Sequence, residues 1–325
     1  MPKPLVISIA MTTYNGERFL QEQLDSFLQQ TCLPDELVVC DDGSHDRTIA
    51  ILESFSSRAP FPVRIYRNNA NLGYSKNFEK AGSLCTGDII AFSDQDDVWD
   101  AQKLEKFAKI MTDDPEVGFI FCDADIVDEE LNSLGFSFWN FHNISKTFAI
   151  FSKGELLDYF FNYDFILGAV TAIRKCIYTS LVPIPPSWVY DDWLPFASSV
   201  VSKVVKLPYE FNKYRKHINQ SCGLRKINRS IIEKIIDNSY KDTRAHFFNK
   251  EIKWLNGFIY LYKNNLIDGT IMRKIDEVIF HCDKRANIPY NIMHRIPFIL
   301  NEIISGRYHK FYKGWRSAFR DLISI

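Results

Sequence analysis

Apolar residues at two different spacings alternate along the first third of the chain. Leu5 to Met11 is a short β-rich run, and between Gly16 and Gln30 the residues Phe19, Leu20, Leu24, Phe27 and Leu28 recur at helical spacing on one face. The succession then repeats. Glu36 to Cys40 reads as a strand before a helix that carries Ile49, Leu52 and Phe55 and that Asp46 can cap. Val63 to Tyr66 precedes a helix over Tyr74 to Leu84, and Asp88 to Phe92 precedes a helical pattern from Ala101 to Met111. Strand and helix alternating at this spacing predict a parallel sheet with helices on both faces. Further on, Gly118 to Cys122 reads as a fifth strand, followed by Asp123 and Asp125 and an irregular aromatic segment from Phe136 to Phe151. Phe165 to Arg174 reads as a strand, Tyr190 to Trp193 opens a helix, and Val201 to Leu207 and Tyr209 to His217 read as two last strands. From Ile227 onward helical patterns take over, at 229–265, 270–286 and 290–322.

In an open parallel sheet, ligands bind beyond the carboxyl ends of the strands. Here those ends carry Thr12-Thr13-Tyr14-Asn15, Asp41-Asp42-Gly43-Ser44, Asn68 to Gly73, and Ser93 to Asp97. Any one cluster could be a turn or a helix cap; their convergence on one rim argues for a site. The stretch Gly87 to Lys103 is its centre, because Asp94, Asp96 and Asp97 crowd the end of an apolar strand. Carboxylates so close repel one another, and a divalent cation that bridges to phosphate oxygens relieves this. Helix capping by Asp97 or Asp100 accounts for only one of them. No GxGxxG follows the first strand and no GxxxxGK[ST] occurs, which removes the ordinary dehydrogenase and P-loop readings. A nucleotide can still bind by its base on Tyr14 and by its phosphates through a metal on Asp94 and Asp96. Gly168 marks either a bulge or a close backbone approach. Asp191 and Asp192, beside aromatics, are helix caps or a source of a general base. His217 lies in YRKHINQSCG among Tyr214, Arg215, Lys216 and Asn219.

Charge divides the chain. Its formal net charge is −1, yet residues 1–212 hold 17 Lys and Arg against 30 Asp and Glu, and residues 213–325 hold 22 against 10. A basic tail interleaved with Phe, Tyr, Trp and Ile suits an anionic membrane surface, a helical appendage or an oligomer contact. The acidic first half weighs against nucleic acid. No run of about 18 apolar residues is present, so the tail is expected to lie on a bilayer and not cross it. Seven scattered cysteines without a CxxC indicate neither a disulfide framework nor zinc. With no signal-peptide pattern, the expected location is the cytoplasm, peripheral to the inner face of the membrane. The length suits one large domain and a smaller appended region.

The opening SIAMTTYNGERFLQEQLDSFLQQT, with VVCDDGSHDRT, NNANLGYSKNFEKA and FSDQDDVW in that order, resembles the nucleotide-sugar-binding half of the family 2 glycosyltransferases. SDQDDVW with YDDW and YRKHINQSCG is similar, more narrowly, to rhamnosyltransferase-like members that build bacterial surface polysaccharides such as O-antigen. The likeness covers residues 5 to 220. It implies a GT-A-type α/β fold, a Rossmann-like sandwich with a mostly parallel central sheet, over residues 1–222, and a basic helical extension over 223–325. It also implies an inverting, Mn²⁺- or Mg²⁺-dependent transfer of a sugar, rhamnose by subfamily likeness. The donor would be a dTDP- or UDP-linked sugar and the acceptor a saccharide or lipid-linked oligosaccharide.

Residue by residue, the resemblance gives Thr12, Tyr14 and Asp41 the nucleotide base and ribose, with Thr13, Asn15, Glu17 and Asp42 beside them. Asn71, Gly73 and Lys76 lie along the donor; Lys76 stands where the family often has Arg, which weighs against a bidentate phosphate contact. Asp94 and Asp96 are the Asp-x-Asp pair at the metal, Asp96 the direct ligand and Asp94 nearer the ribose, and His217 is a further ligand. Gly168 and Ala169 match the glycine segment near the sugars. Asp191 falls where members with HDxW carry the base; Tyr190 replaces the His, and Asp192 leaves the choice of carboxylate open. Three rivals compete with this reading. A non-catalytic sugar-nucleotide-binding or assembly module at the membrane face does not need both the Asp94/Asp96 pair and Asp191. A nucleotidyltransferase would show a Gly-rich basic loop where TTYNGERF stands. Nucleic-acid binding by the tail meets the charge objection above.

Overall fold

Four apolar strands alternate with helices at the start of the chain: β1 (Ile7–Thr13) and α1 (Leu20–Leu28), β2 (Glu36–Asp41) and α2 (Thr48–Ser56), β3 (Val63–Arg67) and α3 (Tyr74–Leu84), then β4 (Ile89–Ser93). The two-residue strand β5 (Val98–Trp99) leads from there to α4 (Lys103–Asp113). The structure is a computed structural model. It describes residues 4–142, 144–157, 166–218 and 220, and beyond these 253–254, 256–267, 273, 276–277, 280–281, 283–285, 287–288, 291–308, 318 and 322. Residues 229–252 of the expected helical tail, together with Phe165 and Asn219, lie outside the described residues.

β1 pairs in parallel with β2 and β4, and β2 with β3, placing Thr13 opposite Asp41 and Met11 opposite Ser93. β2 and β4 are buried throughout and β1 almost so, as expected of strands covered on both faces. The amphipathic helices cover them: α1 turns Leu20, Leu24 and Phe27 inward, and α3 turns Phe78 and Ala81.

Beyond β4 the sheet becomes mixed. Its path is β3-β2-β1-β4-β9-β6-β10-β5, built from β6 (Val117–Val127), β7 (Ser133–Ser137), β8 (Ala149–Phe151), β9 (Thr171–Arg174) and β10 (Lys203–Arg215), with β7 on β6 and β8 on β10. β9 runs antiparallel to both β4 and β6, so parallel pairing holds for β1 to β4 and returns only between β6 and β10. Between β9 and β10 lie the helices Lys175–Leu181 and Tyr190–Val201.

Four expectations change in detail. The fifth strand does not stop at Cys122, because Asp123 is fully buried inside β6, accepting from the backbone N–H of Ala124 and Trp139 at 2.8 and 2.9 Å. The aromatic segment after it is ordered, with β7, a short helix Phe138–Phe141 and β8, and Trp139 packs edge-on to Phe121. The two last strands are one: β10 runs through Pro208 by shifting register between Leu207 and Asn212, which accommodates the missing N–H. In the segment expected as one strand from Phe165, Gly168–Val170 is a single 3₁₀ turn and the strand starts at Thr171.

The chain divides into two compact units, residues 1–153 with 165–224, and residues 154–164 with 225–325. In the smaller unit the helix Ile292–Ile304 packs Ile299 with Tyr308 and Ala318. No helix among the described residues is long and apolar enough to cross a membrane.

Candidate active site

The polar ends of β1, β2, β3 and β4 are stitched to one another by side chains that bond across loops. Asp41 is fully buried; its carboxylate accepts from the hydroxyls of Thr13 (2.9 Å) and Ser44 (2.5 Å) and from the N–H groups of Gly43 and Ser44. Asp42 reaches the next loop, accepting from Asn68 Nδ2 at 2.7 Å and from the N–H of Leu72 and Gly73 at 2.8 and 3.0 Å. Gly73, with φ +77°, is the turn that starts α3, and Asn71 closes it by accepting from the Gly73 N–H. Asn15, at φ +48°, accepts from His45 N–H, and Glu17 accepts from Arg47 N–H. Most of these candidate residues therefore frame the rim with their polar atoms. Tyr14 is different: its side chain is half exposed, open for a ring to stack on it, while Thr12 beside it is only partly covered. Lys76 pairs with Glu79 at 2.7 Å.

At the end of β4 the carboxylates gather as the sequence suggests, and each has different surroundings. Burial, then the charges of Asp96, Asp97 and Asp191, hold Asp94 well above the usual carboxylate range. Burial and the neighbouring Asp96 charge also raise Asp97, which is held by Asn212 Nδ2 (3.2 Å) and the Arg215 N–H (3.3 Å). Asp96 sits 2.8 Å from His217 Nε2, whose ring lies 4.8 Å from that of Phe19. Behind them two buried basic side chains brace the cluster. Lys103 donates to the Ala169 carbonyl and to Asn212 Oδ1, both at 2.7 Å, over the Trp99 ring. Arg215 donates to the Asp96 carbonyl at 2.9 Å, to the Glu129 carbonyl and to the Glu22 carboxylate, and its guanidinium covers Phe19.

Asp191 and Asp192 occupy the first turn of Tyr190–Val201, where helix polarity favours acids. Tyr190 is buried against Phe78 in a stack at 4.1 Å, and burial, then the charges of Asp94 and Asp191, hold its hydroxyl above its ordinary range. Its hydroxyl also explains Gly168: a Cβ there would lie 1.9 Å from Tyr190 Oη. The tight approach at this glycine is thus made within the protein.

The donor set can be tested against a divalent cation. Among the described residues no three His, Cys, Asp or Glu side chains gather as a metal cage, so Asp94 does not join Asp96 and His217 in a three-ligand set. The Asp96–His217 pair stands at ligand-sharing distance, and Mg²⁺ commonly takes one or two protein ligands plus substrate phosphates and water. A carboxylate and an imidazole fit that partial set.

Sequence reasoning did not single out Gln95, Lys103, Asn212 or Glu22. Gln95 holds the Tyr14 backbone at both ends, accepting from its N–H at 2.9 Å and donating to its carbonyl at 3.0 Å, and it packs against Gly16. Its place inside SDQDDVW was the available signal. Lys103 and Asn212 are 109 residues apart, and no local pattern links them.

Comparison with known proteins returns glycosyltransferases. Residues 8–167 match the profile of glycosyl transferase family 2. The chain is 33% identical over 124 residues (38% of this chain, 47% of the relative) to the UDP-Glc:alpha-D-GlcNAc-diphosphoundecaprenol beta-1,3-glucosyltransferase WfgD of Escherichia coli. It is 25% identical over 203 residues (62% and 63%) to the O-antigen chain rhamnosyltransferase RfbN of Salmonella typhimurium. The chain spans between 36% and 63% of the length of such curated relatives. Its fold is similar to that of S. aureus TarS 1–349 in complex with UDP-GlcNAc, with a TM-score of 0.58 at 16% identity, over 92% of this chain and 80% of that one.

Proposed function

This chain belongs to glycosyl transferase family 2 through residues 8–167, and from that premise we propose that it is an inverting glycosyltransferase of bacterial surface polysaccharide synthesis. The donor is a nucleoside-diphosphate sugar and the acceptor a hydroxyl of a saccharide, carried on a lipid diphosphate as the name of the E. coli relative states for that enzyme. One observation carries the reading: the carboxyl end of β4 brings Asp96 within 2.8 Å of His217 and sets Asp94 near enough to Asp191, on a different element, for their charges to interact. Donor-side and acceptor-side carboxylates at one space are what a direct displacement needs.

Breaking the bond between the anomeric carbon and the diphosphate develops negative charge on the leaving oxygens, and groups that stabilise that charge accelerate the step. Mn²⁺ or Mg²⁺, held by Asp96 and His217 with Asp94 beside them, supplies Lewis acidity for the diphosphate when bound. Tyr14 offers its open ring to the base, and the Asp41 and Asp42 loops shape the wall beneath the ribose. Asp191 accepts the proton of the acceptor hydroxyl, a general-base role worth about 10²–10⁴-fold. Relatives named for rhamnosyl and glucosyl transfer support dTDP-rhamnose and UDP-glucose as the first donors to try.

The test incubates purified protein with Mn²⁺ and dTDP-rhamnose, UDP-glucose or UDP-GlcNAc, recording melting temperature and released nucleoside diphosphate. One donor should raise the melting temperature, since a ligand of the folded state stabilises it by mass action. Asp191→Asn should keep that shift and lose on the order of 100-fold in turnover. Full turnover by Asp191→Asn moves the base to Asp192 or to another group. No stabilisation and no release with any donor overturns the reading.

A further inference from the structure

The helix Ile292–Ile304 buries Ile299 on one side and leaves a second apolar face uncovered. Its charged residues Arg295 and Glu302 are turned inward, 3% and 2% exposed, whereas Met293 and Ile304 are 73% and 83% exposed and Ile296 and Leu300 nearly half so. The inward charges are satisfied. Glu302 accepts from Arg307 Nε and Nη2, both at 2.7 Å, and sits 2.7 Å from His281 Nδ1, while Arg295 donates to the Leu322 carbonyl. The outward apolar positions 293, 296, 300 and 304 are each one turn from the next, so they form a single stripe along one face, with Pro297 exposed between them. No acidic residue is exposed on this helix.

We propose that this stripe is the contact by which the protein lies on an anionic lipid surface. Two observations select lipid as its occupant. The smaller unit, residues 154–164 with 225–325, carries 19 Lys and Arg against 13 Asp and Glu, a balance that anionic headgroups attract and that a second copy of the same basic unit repels. The stripe is also one helix wide and uncharged, the form of an interfacial helix that sinks its apolar side into the headgroup boundary. No described helix is long and apolar enough to cross the bilayer, so the helix lies in the plane of the surface. The inference concerns the smaller unit and does not depend on the donor chemistry above.

The experiment floats the full chain with vesicles of phosphatidylglycerol and phosphatidylcholine, and with phosphatidylcholine alone, at low and high salt. Native protein should float with the anionic vesicles, and less so as salt rises. Ile296→Asp/Leu300→Asp and the milder Ile296→Ser/Leu300→Ser should each lower binding on the order of tenfold or more at unchanged melting temperature, because both replaced side chains already reach water. Equal flotation of the serine variant overturns the proposal, as does equal binding to both vesicle types. A native dimer by light scattering that the serine variant dissociates, without any vesicle binding, assigns the stripe to a second copy and also overturns it.

Discussion

Lys103→Met removes a buried amine, which burial pulls down to about 7, while keeping the length of the side chain, and its cost can be worked from contacts. The ammonium donates two hydrogen bonds at 2.7 Å, to Ala169 O and Asn212 Oδ1, and lies 3.7 Å from the centre of the Trp99 ring. Leaving a buried acceptor without its donor costs about 1–3 kcal/mol, and the cation–π contact adds about 1–2 kcal/mol. Ala169 O keeps a second donor in Asn212 Nδ2 at 3.1 Å, so the loss falls mainly on Asn212. Against this, methionine escapes the desolvation that burial imposes on an ammonium, several kcal/mol. What decides the sign is the company: Asp94 and Asp97 keep their burial and lose the basic group whose charge opposes theirs. Removing one side of a buried charge arrangement typically costs about 3–5 kcal/mol, so a net destabilisation of roughly 3 kcal/mol is expected. Urea unfolding of the native chain, Lys103→Met, Asn212→Leu and the double variant measures it, and the cycle should return a coupling of at least about 1 kcal/mol. Additive single effects, or a Lys103→Met loss under about 0.5 kcal/mol, would refute the idea that this lysine ties the acidic loop to β10.

Two further predictions test other packing and protonation arguments. Gly168→Ala should destabilise by about 1–3 kcal/mol, because its Cβ overlaps the Tyr190 hydroxyl and that ring is locked against Phe78; Tyr190→Phe should recover part of the loss, and a neutral Gly168→Ala melt contradicts the packing argument. Burial, helped by Arg285, pushes His281 down to about 4 despite its bond to Glu302. Between about pH 6.5 and 4 the unfolded chain binds a proton that the folded one does not, so this contribution is full above pH 6.5 and is lost as pH falls, roughly 3 kcal/mol at most. Melting curves across that range should be flatter for His281→Gln, and an unchanged slope rejects the assignment.

Local periodicity was enough to place β1 to β4 and their helices, because strands covered on both faces are apolar throughout and amphipathic helices show their buried face. It failed where tertiary partners override local signals. Asp123 looked like the end of a strand, but backbone donors from Ala124 and Trp139 let a carboxylate stay inside β6. Val98–Trp99 is too short for any period, and only its pairing with Asn212 and Lys213 makes it a strand. Direction was equally hidden, since β9 shows no local difference from a parallel strand although it runs against both neighbours.

The candidate site divides along the same line. Asp94, Asp96 and the Asp41–Asp42 turn were legible because each motif lies within a few residues, whereas their support comes from far away. Arg215 bonds to the carbonyl of Asp96, 119 positions earlier, and to Glu22, 193 positions earlier. β10 makes this possible: its long parallel pairing with β6 carries the chain to the acidic rim, delivering Asn212 to Asp97 and His217 to Asp96. A strand that seemed to be two from its proline is therefore the element that completes the acidic centre. A substitution that shortened its pairing beyond Pro208 would disconnect His217 and Asn212 from the aspartates together, while leaving the loops of β1 and β2 in place.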